Sequence, residues 1–147
     1  MLSSKLYDEK SYYPAFIEDL KGCKEEVIIE SPYITTSRMR MLRPILEKLV
    51  GRGVKIYIIT RDPKEHELRM EIQSEEEIRY CERLGIQVLL CVGNDHRKLA
   101  ILDRKILWEG SLNILSQTYS REIMRRIENK EIALEMFDFL KLEIFIM

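Results

Sequence analysis

The chain has 147 residues, of which 46% are hydrophobic and 33% charged, and its net charge is -1. That is enough apolar material for one buried core, and it excludes a disordered or fibrous polymer. Near-neutrality leaves no global basic field for nucleic acid or membrane, no apolar run approaches the ~18 residues of a membrane span, and MLSSKLYDEK lacks the apolar stretch of a signal peptide, so a soluble cytoplasmic protein is expected.

Residues 1–10 are polar and read as a flexible N-terminus, with a single domain over 11–147. From residue 12, Phe16, Ile17, Leu20 and Cys23 recur at three- and four-residue steps and predict a helix, with Pro14 tolerated in its first turn. Residues 26–30 (EVIIE) predict a strand ended by Ser31-Pro32. Met39, Leu42, Ile45, Leu46 and Leu49 give residues 35–50 one apolar helical face, stopped by Gly51 and Gly53. A second strand follows over 54–60 (VKIYIIT). A charged helix then spans 64–84, with Leu68, Ile72, Ile78 and Cys81 as its apolar positions and His66 as a solvated residue near its start. The third strand is 86–92 (IQVLLCV).

This alternation predicts an α/β fold with a mixed, mostly parallel sheet flanked by helices, its strands apolar because both faces are covered. After residue 95 the rhythm changes. Segments 98–102 and 106–109 lie three residues apart, too close for a crossover, so they form an antiparallel hairpin. Another strand is expected over 120–127 and a closing helix over 128–142, while the terminal EIFIM has no assigned role. Cys23, Cys81 and Cys91 form neither a CxxC pair nor a metal spacing and read as core residues in a reducing compartment.

Charge is distributed unevenly. Residues 62–83 hold eight Asp or Glu against four Lys or Arg, and residues 96–130 hold the reverse. The positive segment coincides with HRKLAILDRKILWEGSLN at 96–113. His96 and Lys98, two apart on an extended strand, project to the same side. Asp103, seven residues on, has the opposite parity and falls at the hairpin turn. Folding over that turn lays Gly110 and Ser111 alongside Lys98 and His96. Gly110, without a Cβ, lets the backbone approach a ligand, and Ser111 and Asn113 add a hydroxyl and an amide. An imidazole that attacks, a fixed cation and two hydrogen-bonding groups together suit a phosphodiester, an anion that gains charge during transfer.

This stretch resembles the HKD signature of the phospholipase D superfamily: His, any residue, Lys, four residues, Asp, six residues, Gly-Ser, any residue, Asn. EVIIESPYIT, GVKIYIITRDP, LGIQVLL and the strand holding Glu122 extend the likeness over residues 12–140. The resemblance implies an α/β/α sandwich and cleavage or transfer of phosphodiesters through a phosphohistidine, with no metal and no cofactor. It implies His96 as the nucleophile or its acid partner, Lys98 and Asn113 on the phosphate oxygens, and Ser111 in support. Asp103 becomes structural, and Glu122 accepts a hydrogen bond from the catalytic imidazole.

Such a mechanism needs two histidines. His66 has no Lys two residues on, so the second imidazole is expected from His96 of another copy, in a homodimer joined through the active-site face. Small single-motif members of this family resemble nucleases, and the basic segment suits a nucleic acid. Arg97, Arg121, Arg125 and Arg126 are expected along its approach, with Tyr33 and Arg61 beyond the first two strands as further substrate contacts. Two alternatives stand beside this reading. One is a phospholipase or phosphatidyl transferase; the other is a non-catalytic nucleic-acid-binding module acting with a helicase or ATPase partner.

Overall fold

The computed structural model describes residues 3–93, 95–117 and 119–146. In chain order the elements are β1 (Ser3–Asp8), α1 (Tyr12–Lys21), β2 (Glu26–Glu30), α2 (Thr36–Gly51), β3 (Lys55–Arg61), α3 (Leu68–Leu84), β4 (Gln87–Cys91), β5 (Leu99–Leu102), β6 (Ile106–Gly110), β7 (Ile123–Glu128) and α4 (Lys130–Phe139), with short 3-10 turns at Pro63–Glu65 and Leu142–Ile144. The strands form one sheet in the order β1-β7-β6-β5-β2-β3-β4.

Strand alternation sorts the side chains onto two faces. Val27, Ile29, Ile58, Ala100 and Trp108 pack with α1, α2 and α3, whereas Ile28, Ile59, Leu99, Ile101 and Leu107 pack with Ala133 and Phe137 of α4 and with Leu142. The result is the expected α/β/α sandwich, with three helices on one face and one on the other. At its centre Trp108 is fully buried, edge-on to Tyr12 with ring centroids 5.0 Å apart. Its indole N–H donates to Asp19 (2.8 Å), which also binds the Arg126 guanidinium at 2.7 and 2.9 Å. An indole buried this deeply needs such a partner.

Three expectations are corrected. The sheet is mixed but not mostly parallel: only β2/β3 and β3/β4 run parallel, and the other four pairings are antiparallel. The N-terminal segment is not loose, since Ser3–Asp8 pairs antiparallel with β7 over six residues and Tyr7 packs on Trp108, ring centroids 5.0 Å apart. That strand closes the β7 edge with a segment more than 110 residues away, which local pattern does not reveal. The charged helix begins at Leu68 rather than at 64, because His66 is extended (φ -93°, ψ 165°) and Glu67 caps the helix by accepting from Met70 N–H at 2.8 Å. Leu68 and Ile72 remain exposed, and Ile78 and Cys81 carry the packing. In the terminal segment Ile146 packs beside the buried Leu142 against the α4 layer, while Ile144 and Phe145 stay exposed; Met147 lies outside the described residues.

Candidate active site

The carboxyl ends of the parallel strands β2, β3 and β4 define one rim of the sheet. Their loops meet there the start of β5 and the end of β6, because β5 runs antiparallel to β2 with Glu30 opposite Leu99. Open α/β sheets bind ligands at such a rim. The β5–β6 register pairs Leu99 with Glu109, and Gly110 N–H donates to Lys98 C=O at 3.3 Å, so Lys98 lies opposite Gly110. His96 precedes β5 as an exposed residue, and the Lys98 ammonium folds back onto its carbonyl oxygen at 2.8 Å. Arg97, Lys98, Gly110, Ser111 and Arg125 line one open groove of about 640 Å³, with Leu6 and Ile123 as its apolar wall.

Gly110 is required for a reason other than ligand approach. A Cβ there would collide with the Ile123 carbonyl and with Met124 of the adjacent strand, so the residue permits β7 to close on β6. Ser111 belongs to the same junction: its N–H donates to Ile123 C=O (2.9 Å) and its hydroxyl accepts from Ile123 N–H (3.0 Å). Asn113 lies just beyond, in a segment pinned by buried side chains. Tyr13 O–H donates to Ile114 C=O (2.7 Å), Leu115 N–H donates to Ser31 Oγ (3.1 Å), and Gln117 N–H donates to Thr35 Oγ1 (2.8 Å). Within this tightly held turn the Asn113 Oδ1 is buried and has no hydrogen-bond partner among the described residues. Such an atom is rare in a folded chain and marks a place to look for a ligand or a water.

Asp103 sits at the far end of the hairpin, in the left-handed region (φ 52°) that Asp tolerates better than most residues. Its carboxylate accepts the N–H groups of Lys24, Glu25 and Glu26, each at 2.9 Å. Partial burial pushes this carboxyl up, but the three backbone bonds outweigh it and hold it below the ordinary value.

The remaining expected residues divide. Glu122 is not within a strand, since β7 begins at Ile123; its carboxylate accepts from Ser120 Oγ (2.9 Å) and its N–H donates to Glu9 (2.9 Å). No hydrogen bond joins it to the His96 imidazole, and that ring has no partner among the described residues. Arg121 is exposed beside it, and Arg125 donates to Ser4 Oγ at 2.6 Å while facing the groove. Arg126 points to the opposite face and clamps Asp19, which removes it from the approach. Tyr33 and Arg61 do meet, guanidinium to phenol at 3.1 Å, but Arg61 is also within 3.5 Å of Glu65. His66 is not a solvated helix residue: its ring lies 4.9 Å from that of Tyr33, and burial and Arg61 depress its pKa.

Residues 16–141 match the family model described as the cardiolipin synthase PLD-like domain. The chain belongs to this PLD-like family. Solved structures place the PLD-like chain in the same fold. The phospholipase D family member Nuc from Salmonella typhimurium superimposes with a TM-score of 0.77 at 17% identity, covering 96% of this chain and 93% of its own. NucT from Helicobacter pylori does so at 0.72 and 21% identity, covering 96% and 94%. The phosphatidylserine synthase of Haemophilus influenzae Rd KW20 matches at 0.67 and 17% identity, covering 92% of this chain and 36% of its own. A comparison with curated protein sequences returns no match.

Several residues at this rim of the PLD-like domain carry no motif signature. Ser31 and Thr35 are buried and hold the segment around Asn113. Glu30 is 3% exposed, and its only ion-pair partner among the described residues is Arg97, 4.0 Å away. Burial, followed by the nearby Asp95 carboxylate, pushes the Glu30 carboxyl up to about 7, and Arg97 opposes the rise. The sequence signal was present, because Glu30 directly follows the apolar run of Val27, Ile28 and Ile29 in the strand EVIIE. Among the described residues no group of three or more His, Cys, Asp or Glu is placed to hold a metal ion, and no helix is long and apolar enough to cross a membrane.

Proposed function

We propose that this chain is a phosphodiesterase acting on nucleic acid, with His96 as nucleophile. The observation that carries the reading is convergence: Lys98, Gly110 and Ser111 line one groove at the carboxyl-end rim, and two residues on from Ser111 the buried Asn113 Oδ1 has no partner among the described residues, in a PLD-like domain. A neutral His96 ring nitrogen attacks phosphorus, a P–N bond forms, and the bond to the leaving oxygen breaks. Lys98 and the Asn113 amide stabilise the charge that gathers on the non-bridging oxygens. The leaving oxygen takes its proton from a second imidazole, which then accepts a proton from the water that breaks the P–N bond.

That second imidazole is His96 of another copy. His66 is engaged with Tyr33, away from the motif groove, so a two-fold homodimer through the groove face supplies the missing group. Glu122 is the carboxylate that would orient His96 in the assembled site, rotating from Ser120. Arg97, Arg121 and Arg125 supply cations for flanking phosphates, and Tyr33 and Arg61 lie further along the same rim. A helicase or ATPase partner fits a nuclease of this size but has no surface assigned to it.

One observation favours a second reading. Leu6 and Ile123, 56% and 63% exposed, form the wall of the same groove and would suit an acyl chain. Bis(p-nitrophenyl) phosphate, plasmid DNA and phosphatidylcholine vesicles assayed in parallel in EDTA, with His96→Ala as control, separate the two. DNA cleavage without lipid cleavage supports the nuclease, lipid cleavage alone replaces it, and DNA binding without turnover selects a binding module. Mixing wild type with His96→Ala tests the shared site: activity should follow the square of the wild-type fraction, and a linear dependence would sink the dimer.

A further inference from the structure

His96 sits between two charged neighbours that converge on one buried group. Glu30, the last residue of β2, projects with Ile28 toward the α4 face in the middle of the sheet, flanked by Leu99 on β5 and Ile59 on β3. Nothing in an apolar bed of this kind rewards a carboxylate, so its presence needs a partner. Two candidates hang above it from the loop between β4 and β5. Arg97 reaches down to 4.0 Å from Glu30 Oε1 while 57% exposed on the other side, where it lines the groove with Lys98. Asp95 accepts Arg97 N–H through Oδ1 at 3.2 Å, and its Oδ2 is buried without a hydrogen-bond partner among the described residues. The Asp95 and Glu30 side chains are close enough to interact, and Cys91 of β4 faces the same pair.

We propose that Glu30 is a positioning residue that clasps the His96 loop from beneath, through Arg97 on one side of the nucleophile and Asp95 on the other. Both contacts are within reach in this structure, and the charge on Glu30 sets which of them is favoured. As a carboxylate, Glu30 holds Arg97 and repels Asp95. As a carboxylic acid, it keeps its proton, donates a hydrogen bond to Asp95 Oδ2 and no longer holds the Arg97 guanidinium by charge, leaving that cation to a substrate phosphate. One proton thus exchanges a tethered Arg97 for a free one while the His96 loop stays anchored in both states. Its carboxyl, raised by burial and by Asp95, titrates near neutrality, where the exchange is felt. The groups facing it are Asp95, Arg97 and Cys91; Cys91 is itself pushed up to about 11 and stays a thiol in that range.

The clasp rests on His96 being the reactive residue, so its test includes a readout that needs no turnover. In 15N-labelled full-length protein the Arg97 Nε–Hε signal should shift between pH 6 and 8, and Glu30→Gln should abolish that shift. In the bis(p-nitrophenyl) phosphate assay, wild-type KM should rise at least threefold from pH 6 to pH 8, and Glu30→Gln should hold the low-pH KM throughout. Glu30→Ala, which loses both contacts, should lower kcat tenfold or more, and Gln should rescue it to within about threefold. A pH-independent Arg97 signal in wild type overturns the clasp, as does Glu30→Ala with wild-type kcat. Glu30→Gln as inactive as His96→Ala would also overturn it, making Glu30 a proton donor in the reaction. If His96→Ala keeps its activity while the Arg97 shift is present, the proposed function fails and takes the positioning role with it, whereas the Glu30–Arg97 charge exchange stands.

Discussion

The two ends of the β5–β6 hairpin are built on opposite principles. At the turn, Asp103 has every backbone donor it faces engaged, and the neighbouring Arg104 closes a bidentate pair with Glu26 at 2.9 and 3.1 Å. At the open end, 95–98 and 110–113, polar groups are left over among the described residues: the Asn113 Oδ1, the Asp95 Oδ2, and beneath them a buried Glu30 with a single cation at 4.0 Å. A hydrogen bond formed at the turn lowers the energy of the fold, whereas an unmade one at the rim costs stability and persists where a ligand can use it. One hairpin thereby joins a saturated anchor to an unsaturated site.

Substitutions should separate these two ends. The largest effect is expected from His96→Ala, which should lower phosphodiester cleavage by at least about 10³-fold, as loss of a nucleophile does; its thermal midpoint should stay within a few degrees of wild type. Asp103→Ala should do the reverse. It strands three N–H groups and places Ala at positive φ, for a loss of roughly 3 kcal/mol in urea unfolding, with turnover per folded molecule retained. A fall of kcat in the folded Asp103→Ala protein would break the division between anchor and site.

The pH dependence sharpens the same comparison. Glu30 is raised from 4.5 to about 7 in the folded chain, so the native state binds more protons than the unfolded state between those values. Stability therefore falls as pH rises through that window, and the loss is complete above about 7. Glu30→Gln, which cannot ionise, should be more stable than wild type by up to about 3 kcal/mol above pH 7 and by nearly nothing at pH 4.5. Asp103 has the opposite sign: its lowered pKa contributes stability above the ordinary carboxylate value, lost as pH falls below it. A Glu30→Gln protein no more stable than wild type at pH 8 would deny the rim its strain. The smallest effect is expected from Ser31→Ala, which removes the acceptor for Leu115 N–H and should cost about 1 kcal/mol. Its KM should rise as the Asn113 turn loosens.

Sequence reading reached much of this arrangement. Apolar runs and their spacing marked the β2, β3 and β4 strands to within a residue of their ends, and the three-residue gap forced the hairpin, because no crossover fits in it. Parity removed Asp103 from the side of His96, and the turn is where it sits. The role assigned to Gly110 was different, since the close approach comes from Ile123 of β7 and no local signal says which backbone will arrive. Arg126 and Arg125 are adjacent and identical in type, yet strand alternation sends one to Asp19 and leaves the other at the groove.

Local chemistry in the chain thus determined most of the elements, the hairpin and the candidate set of polar groups proposed to handle a phosphate, because each depends on periodicity or on spacing within about twenty residues. Only the tertiary structure decided that Ser3–Asp8 would close the β7 edge, that Ser31 and Thr35 would hold the Asn113 turn, and that Glu30 would lie beneath Arg97. Those contacts join segments from about 65 to 125 residues apart in the sequence. What they contribute comes from burial, which exists only once the layers have packed.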